Sequence, residues 1–217
     1  MAKKTHNSPE AARDAILDAA QKMVVEVGPA GLRISAVAKA AGMAHPNIIH
    51  HFGSREGLIH ALAERTGERA TERIAAAITE ALSASDEDCV AAMTRVLDTA
   101  YQGEEGIVAV WLHFSGAETE LHANMRRIVE LSHQLRERLH ADVDYSNTNR
   151  LVMLVTLALV GEVVSGAAIK EALGFGNGDS ERAHFRQWLA EILINLSDAE
   201  LATSLTEVNL QLRVKNQ

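Results

Sequence analysis

Gly42 sits at the centre of the segment that most constrains this chain. Residues 34–52, ISAVAKAAGMAHPNIIHHF, carry one short apolar period before that glycine and a second after it. Val37, Ala38 and Ala41 make the apolar side of a first helix, and Ala38 is small where a second helix must cross close by. Gly42 is the residue type that enters left-handed backbone geometry without steric cost. Met43, Ile48 and Phe52 then supply the apolar side of the second helix, leaving His45, Asn47 and His50 to project outward. Two short helices in this register form a helix-turn-helix, which places its second helix in a DNA major groove. The rival arrangement is an ordinary helical hairpin in an all-helical core.

The net charge of −8 looks wrong for a partner of DNA until it is divided along the chain. Residues 1–57 hold seven Lys/Arg and five Asp/Glu, a net of +2, and the remainder holds fourteen against twenty-four, a net of −10. The acidic part therefore lies away from the helix-turn-helix, where it discourages non-specific adhesion to nucleic acid. Hydrophobic residues at 47% suffice for a buried core. Cys89 is the one cysteine, which excludes an intrachain disulfide and fits a reducing cytoplasm. Its Ala and Val neighbours predict a small buried apolar position rather than a redox sensor. The start, MAKKTH, leads into a polar helix and not into a signal peptide's apolar run. The longest apolar stretch, 151–161, is too short to cross a bilayer, so no membrane partner is expected.

Helical signals fill the chain. Ser8-Pro9-Glu10 is a capped helix start, and Gly28-Pro29 stops that helix. Gly53-Ser54 breaks the chain after the motif and opens a long helix over 55–82. Further helices are predicted from about 85 to 101, over 107–116, over 119–141, over 150–173 and over 180–196. Residues 142–149 read as a polar linker and 174–178 as a loop. Ser197 to Glu200 form a capping-box pattern opening a terminal helix. No segment alternates with period two. The expected fold is all-α, about nine or ten helices, with a three-helix domain at 1–58 and a larger helical body at 59–217.

Within 1–58, Arg13 with Ile16-Leu17 and Ala19-Ala20, then Gly28, Val37-Ala38, Ala41-Gly42-Met43, His51-Phe52, Ser54-Arg55-Glu56 and Leu58 follow in a specific order and spacing. This run resembles the DNA-binding domain of the TetR family of bacterial transcriptional regulators. The resemblance implies a homodimer with a DNA-binding head and a variable ligand-binding body. The family usually has Tyr, which commonly contacts a phosphate, where this chain has Ile49, and a capping Thr where it has Arg33. Arg55 replaces the commoner Lys and keeps the charge. A weaker similarity around Ile48-Ile49 and Trp111-Leu112-x-Phe114 points to the betaine-regulator branch.

On this reading Ala44, His45, Pro46 and Asn47 enter the groove. Asn47 can pair with adenine, His45 can donate or accept at a base edge, and Pro46 can touch a thymine methyl. Arg33, Ser35, Lys39, His50 and Arg55 are the expected phosphate contacts, with Lys3 and Lys4 adding non-specific attraction. His51 is expected to pack.

In the body, Tyr101, Trp111, His113, Phe114, Met125, His133 and Met153 are candidates to line an effector cavity, mixing apolar bulk with polar handles. Plain core packing explains each of them singly. The run 151–160 is apolar almost all round and must be covered on both sides. Leu151, Leu154, Ala158, Gly161, Ser165 and Gly166, with Phe185, Trp188, Leu189 and Ile192, suit an isologous four-helix dimer interface, against a buried monomer core as the rival. His113, Glu118, Glu120 and His122 contain only near misses of metal-ligand spacing. No phosphate loop, nucleophile elbow or Cys/His cluster occurs, so neither catalysis nor a cofactor is expected. A metal-sensing repressor, a DNA-binding regulator without ligand and a metal-dependent helical enzyme are the alternatives to a ligand-responsive repressor.

Overall fold

The structure, a computed structural model, describes residues 8–83, 89–100, 108, 110–112, 121–140, 142–176, 178–196 and 198. Among these residues there are helices and no strands. The longer helices are α1 (Pro9–Gly31), α2 (Ile34–Ala40), α3 (His45–Phe52), α4 (Arg55–Ser83), α5 (Cys89–Ala100), α6 (Leu121–Leu139), α7 (Tyr145–Ala172) and α8 (Asp179–Asn195). Of the segment predicted as a helix over 107–116, the described residues Val108, Val110, Trp111 and Leu112 are helical. The chain divides into two compact units, one formed by the described parts of Met1–Ala70 and Tyr101–Asn124, the other by those of Thr71–Ala100 and Met125–Gln217.

The first unit is built on one apolar cluster. Ile16, Leu17, Ala20 and Val24 of α1 meet Val37 and Ala38 of α2, Ile48 and Phe52 of α3, Leu58 and Leu62 of α4, and Val108 and Leu112. The Ser8 hydroxyl accepts from the Ala11 N–H at 3.2 Å, and Pro9 stands where a missing N–H costs nothing. Regular helix in α1 ends at Gly28, at φ +72°, and Pro29 opens the last turn after this kink. Arg65 of α4 bonds Asp18 at 2.8 Å and Gln21 at 3.3 Å, holding α4 to α1.

In the second unit Ile78, Ala81, Ala92, Val96 and Leu135 form a core, and α5 packs along α8. The Arg138 guanidinium donates to the carbonyls of Ala81 and Leu82 at 2.7 and 2.6 Å, satisfying orphan acceptors at the end of α4. Glu162 of α7 is half-buried between Lys170 at 3.3 Å and Arg186 of α8 at 3.5 Å, and Arg186 also reaches Asp98 of α5 at 3.0 Å.

Helix α7 starts earlier than its composition suggests. Residues 145–149, expected in a linker, are its first turns. The Asp144 carboxylate accepts from the Ser146 N–H at 2.7 Å as N-cap. Thr148 is fully buried, its hydroxyl bonded by His133 at 3.0 Å and Arg136 at 2.9 Å. Arg136 also pairs with Asp198, whose carboxylate accepts from the Asp144 N–H. The polar run is thus a helix start and a buried network. Cys89, expected inside, is exposed at the first residue of α5.

Candidate nucleic-acid interface

The turn at Gly42 is a hydrogen-bonded helix stop. Gly42 has φ +66°, its N–H donates to Lys39 O at 3.2 Å, and the Met43 N–H donates to Ala38 O at 2.9 Å. This pair of bonds is a Schellman motif, which requires the left-handed residue that glycine supplies. It aims α3 away from α2 while Val37, Ala38, Ile48 and Phe52 close the angle between them.

With that face buried, the other side of α3 is solvent-facing. Ala44, His45, Pro46, Asn47 and His50 are exposed, as are Arg33, Ser35 and Lys39 on and beside α2. The structure therefore brings eight of the nine expected DNA contacts to the exposed surface of the first unit. His51 is half-buried, and its carbonyl accepts from Arg13, whose guanidinium also lies 4.5 Å from the Phe52 ring centre. A cation there complements the carbonyl end of α3.

Arg55 departs from expectation. Its Nε donates to Leu32 O at 2.9 Å and its Nη2 to Pro29 O at 2.6 Å. The guanidinium satisfies carbonyls at the kinked end of α1, while its side chain stays about 36% exposed.

Two signals went unread in the sequence. No Asp or Glu lies between Glu26 and Glu56, so the whole motif is free of carboxylates while carrying Arg33 and Lys39. The starts of α1 and α4 are capped by Ser8 and Ser54, the latter accepting from the Gly57 N–H at 3.0 Å. The starts of α2 and α3, behind Arg33 and Ala44, have no side-chain cap among the described residues. Uncapped amides and cations without neighbouring carboxylates form a surface suited to phosphate.

The body residues scatter. Tyr101, His113 and Phe114 fall outside the described residues, as do Glu118, Glu120 and the His122 side chain. Trp111 belongs to the first unit, its ring 3.9 Å from where a Cβ on Gly28 would stand, whereas Met125, His133 and Met153 belong to the second. Met153 is exposed on α7, and His133 is engaged by Thr148 and lies edge-on to Tyr145 at 4.9 Å. A recess lined by Ala81, Cys89, Met93, Leu135 and Ile194 has room for about one water. None of the seven expected lining residues borders it.

The expected interface residues divide between two faces. Leu151, Gly166 and Leu189 are buried within the monomer, which corrects their placement on the dimer surface. The reason is register, because a helix apolar all round does not reveal which side its own chain covers. Leu154, Ser165 and Trp188 are exposed, and Ala158, Gly161, Phe185 and Ile192 are half-buried. Met153, Leu157 (63% exposed), Val164 and Ile169 extend the exposed apolar face along α7. By length and composition the 28-residue α7 is apolar enough to cross a bilayer, unlike the stretch 151–161 judged alone. Its half-buried Glu162 and Lys170, paired with each other, mark a helix packed against protein on one side.

Residues 16–62 match the model of the bacterial regulatory proteins of the tetR family. Over 127 residues the chain is 29% identical to the HTH-type transcriptional regulator BetI of Rhizobium meliloti, a match covering 58% of this chain and 62% of that one. The chain thus spans less than two thirds of that curated relative. The solved structure of Salmonella enterica GusR is similar at a TM-score of 0.60 and 20% identity, over 90% of this chain and 100% of that one. That of the multidrug binding protein EbrR complexed with imidazole is similar at 0.53 and 21%, over 85% and 96%. These likenesses show the same helical fold.

Proposed function

We propose that this chain, whose residues 16–62 match the model of the bacterial regulatory proteins of the tetR family, is a cytoplasmic repressor of that family that binds a pseudo-palindromic operator as a homodimer and is released by a small-molecule effector. The observation that carries the DNA-binding part is the exposed, carboxylate-free surface of α2 and α3 around Asn47. Phosphates fix the register through Arg33, Ser35, Lys39 and His50, and base edges meet Ala44 to Asn47. Asn47→Ala costs about 1–3 kcal/mol of DNA affinity and relaxes preference at one base pair per half-site. Fluorescence anisotropy with a selected operator and its single-base variants measures both; equal discrimination by variant and wild type would remove Asn47 from the readers.

Dimerisation is supported by the exposed apolar face of α7 and Trp188, larger than isolated surface residues account for. A Cβ built on Gly161 meets no described atom within 4 Å, whereas one on Gly166 meets Glu162 Cγ at 3.2 Å in the same chain. Gly161→Leu therefore spares the monomer and overpacks a helix pair between subunits, weakening association by about 1–3 kcal/mol. Sedimentation velocity will show more monomer, and an unchanged dimer would place the interface elsewhere.

Effector release draws support from the likeness to EbrR, a multidrug binding protein. Helix α4 contributes to both compact units and so links them covalently. A ligand shifts DNA affinity only by its differential affinity for two states, typically about 1–3 kcal/mol. A regulator controlled by abundance alone is the second reading, favoured by the recess beside Ala81, Met93 and Leu135 having room for only about one water. A small molecule that raises the melting temperature and also releases the operator decides between them.

A further inference from the structure

Consecutive isoleucines on α3 have opposite fates. Ile48 is fully buried in the core of the first unit, while Ile49, turned about 100° around the helix, is 37% exposed and outside that core among the described residues. Ile49 lies three residues after Pro46 and four after His45, the spacings at which side chains on a helix are neighbours. Pro46 and Ile49 therefore form a small apolar strip on a surface otherwise made of His45, Asn47 and His50. A β-branched residue is a poorer helix former than Leu, so helix stability does not explain an isoleucine on this exposed side.

A major groove offers hydrogen-bonding edges and one apolar feature, the thymine 5-methyl group. The polar residues of α3 answer the edges, and Ile49 has nothing to offer them. Its stiff χ1 presents a fixed apolar surface. We propose that Ile49 is a specificity-determining residue that packs on a thymine methyl in each half-site. This rests on the reading of α3 as the DNA-reading helix.

The test begins with random-oligonucleotide selection on the wild-type protein, followed by duplexes in which each thymine in turn is replaced by uracil. Uracil keeps every hydrogen-bonding group and lacks the methyl. One thymine per half-site is expected at which this loss weakens wild-type binding about fourfold, the factor for one buried methyl group. The same replacement leaves Ile49→Ala unaffected, and Ile49→Val keeps most of the effect. Thermal melting confirms that both variants fold. A uracil effect that persists in Ile49→Ala and disappears in Pro46→Ala overturns the assignment to Ile49, as does a selected site indifferent to every uracil. A pool that yields no preferred sequence overturns both this inference and the DNA-reading assignment beneath it.

Discussion

Truncating Ile48 to alanine will cost about 2–5 kcal/mol of stability and remove DNA binding along with it. Ile48 is fully buried in the cluster that joins α3 to α1, α2 and α4, and a large-to-small change there loses transfer energy and leaves a cavity. The adjacent Ile49→Ala, on the exposed side, should stay within about 0.5 kcal/mol of wild type. Denaturant unfolding of the two variants measures the contrast. Similar losses for both would mean that α3 is rotated from the register described.

The second large effect is in the second unit. Arg136→Ala removes a nearly buried guanidinium that pairs with Asp198 and bonds Thr148, leaving their polar groups without that partner. Breaking a buried pair from one side typically costs about 3–5 kcal/mol, and the partial exposure of Asp198 argues for the low end. Burial pushes the Asp198 carboxyl up, but the Asp144 N–H and the Arg136 guanidinium together outweigh it and hold the pKa below the usual value. A depressed carboxyl stabilises the fold above the unfolded pKa of about 4, and that contribution is lost as pH falls through the folded value. Wild type should therefore lose stability below about pH 4 more steeply than Arg136→Ala. A loss under about 1 kcal/mol at neutral pH, or parallel acid profiles, would show the pair to be dispensable.

The helix-turn-helix was legible because its determinants are contiguous. Gly42, Ala38 and the apolar residues Met43, Ile48 and Phe52 fix turn, crossing and face within nineteen residues, and the Schellman bonds at Gly42 follow from the glycine itself. What failed to read was non-local. Arg55 has the charge of a phosphate contact, and only the kink at Gly28 brings the carbonyls of Pro29 and Leu32 to it. Residues 145–149 look like a linker because the polar groups of a buried network resemble those of a solvated loop. Thr148 joins them to α6 across residues that no local pattern connects. In α7, Leu151 and Leu154 are alike in sequence, and only packing separates the buried one from the exposed one.

The central claim is that two copies of α3 read two half-sites of one DNA duplex. Hydroxyl-radical footprinting on a selected operator tests it most directly. The account predicts two protected patches related by a two-fold axis, centred about 34 Å apart or a multiple of it, both shifted together to higher protein concentration in Asn47→Ala. A single patch, or protection that does not depend on sequence, would contradict it.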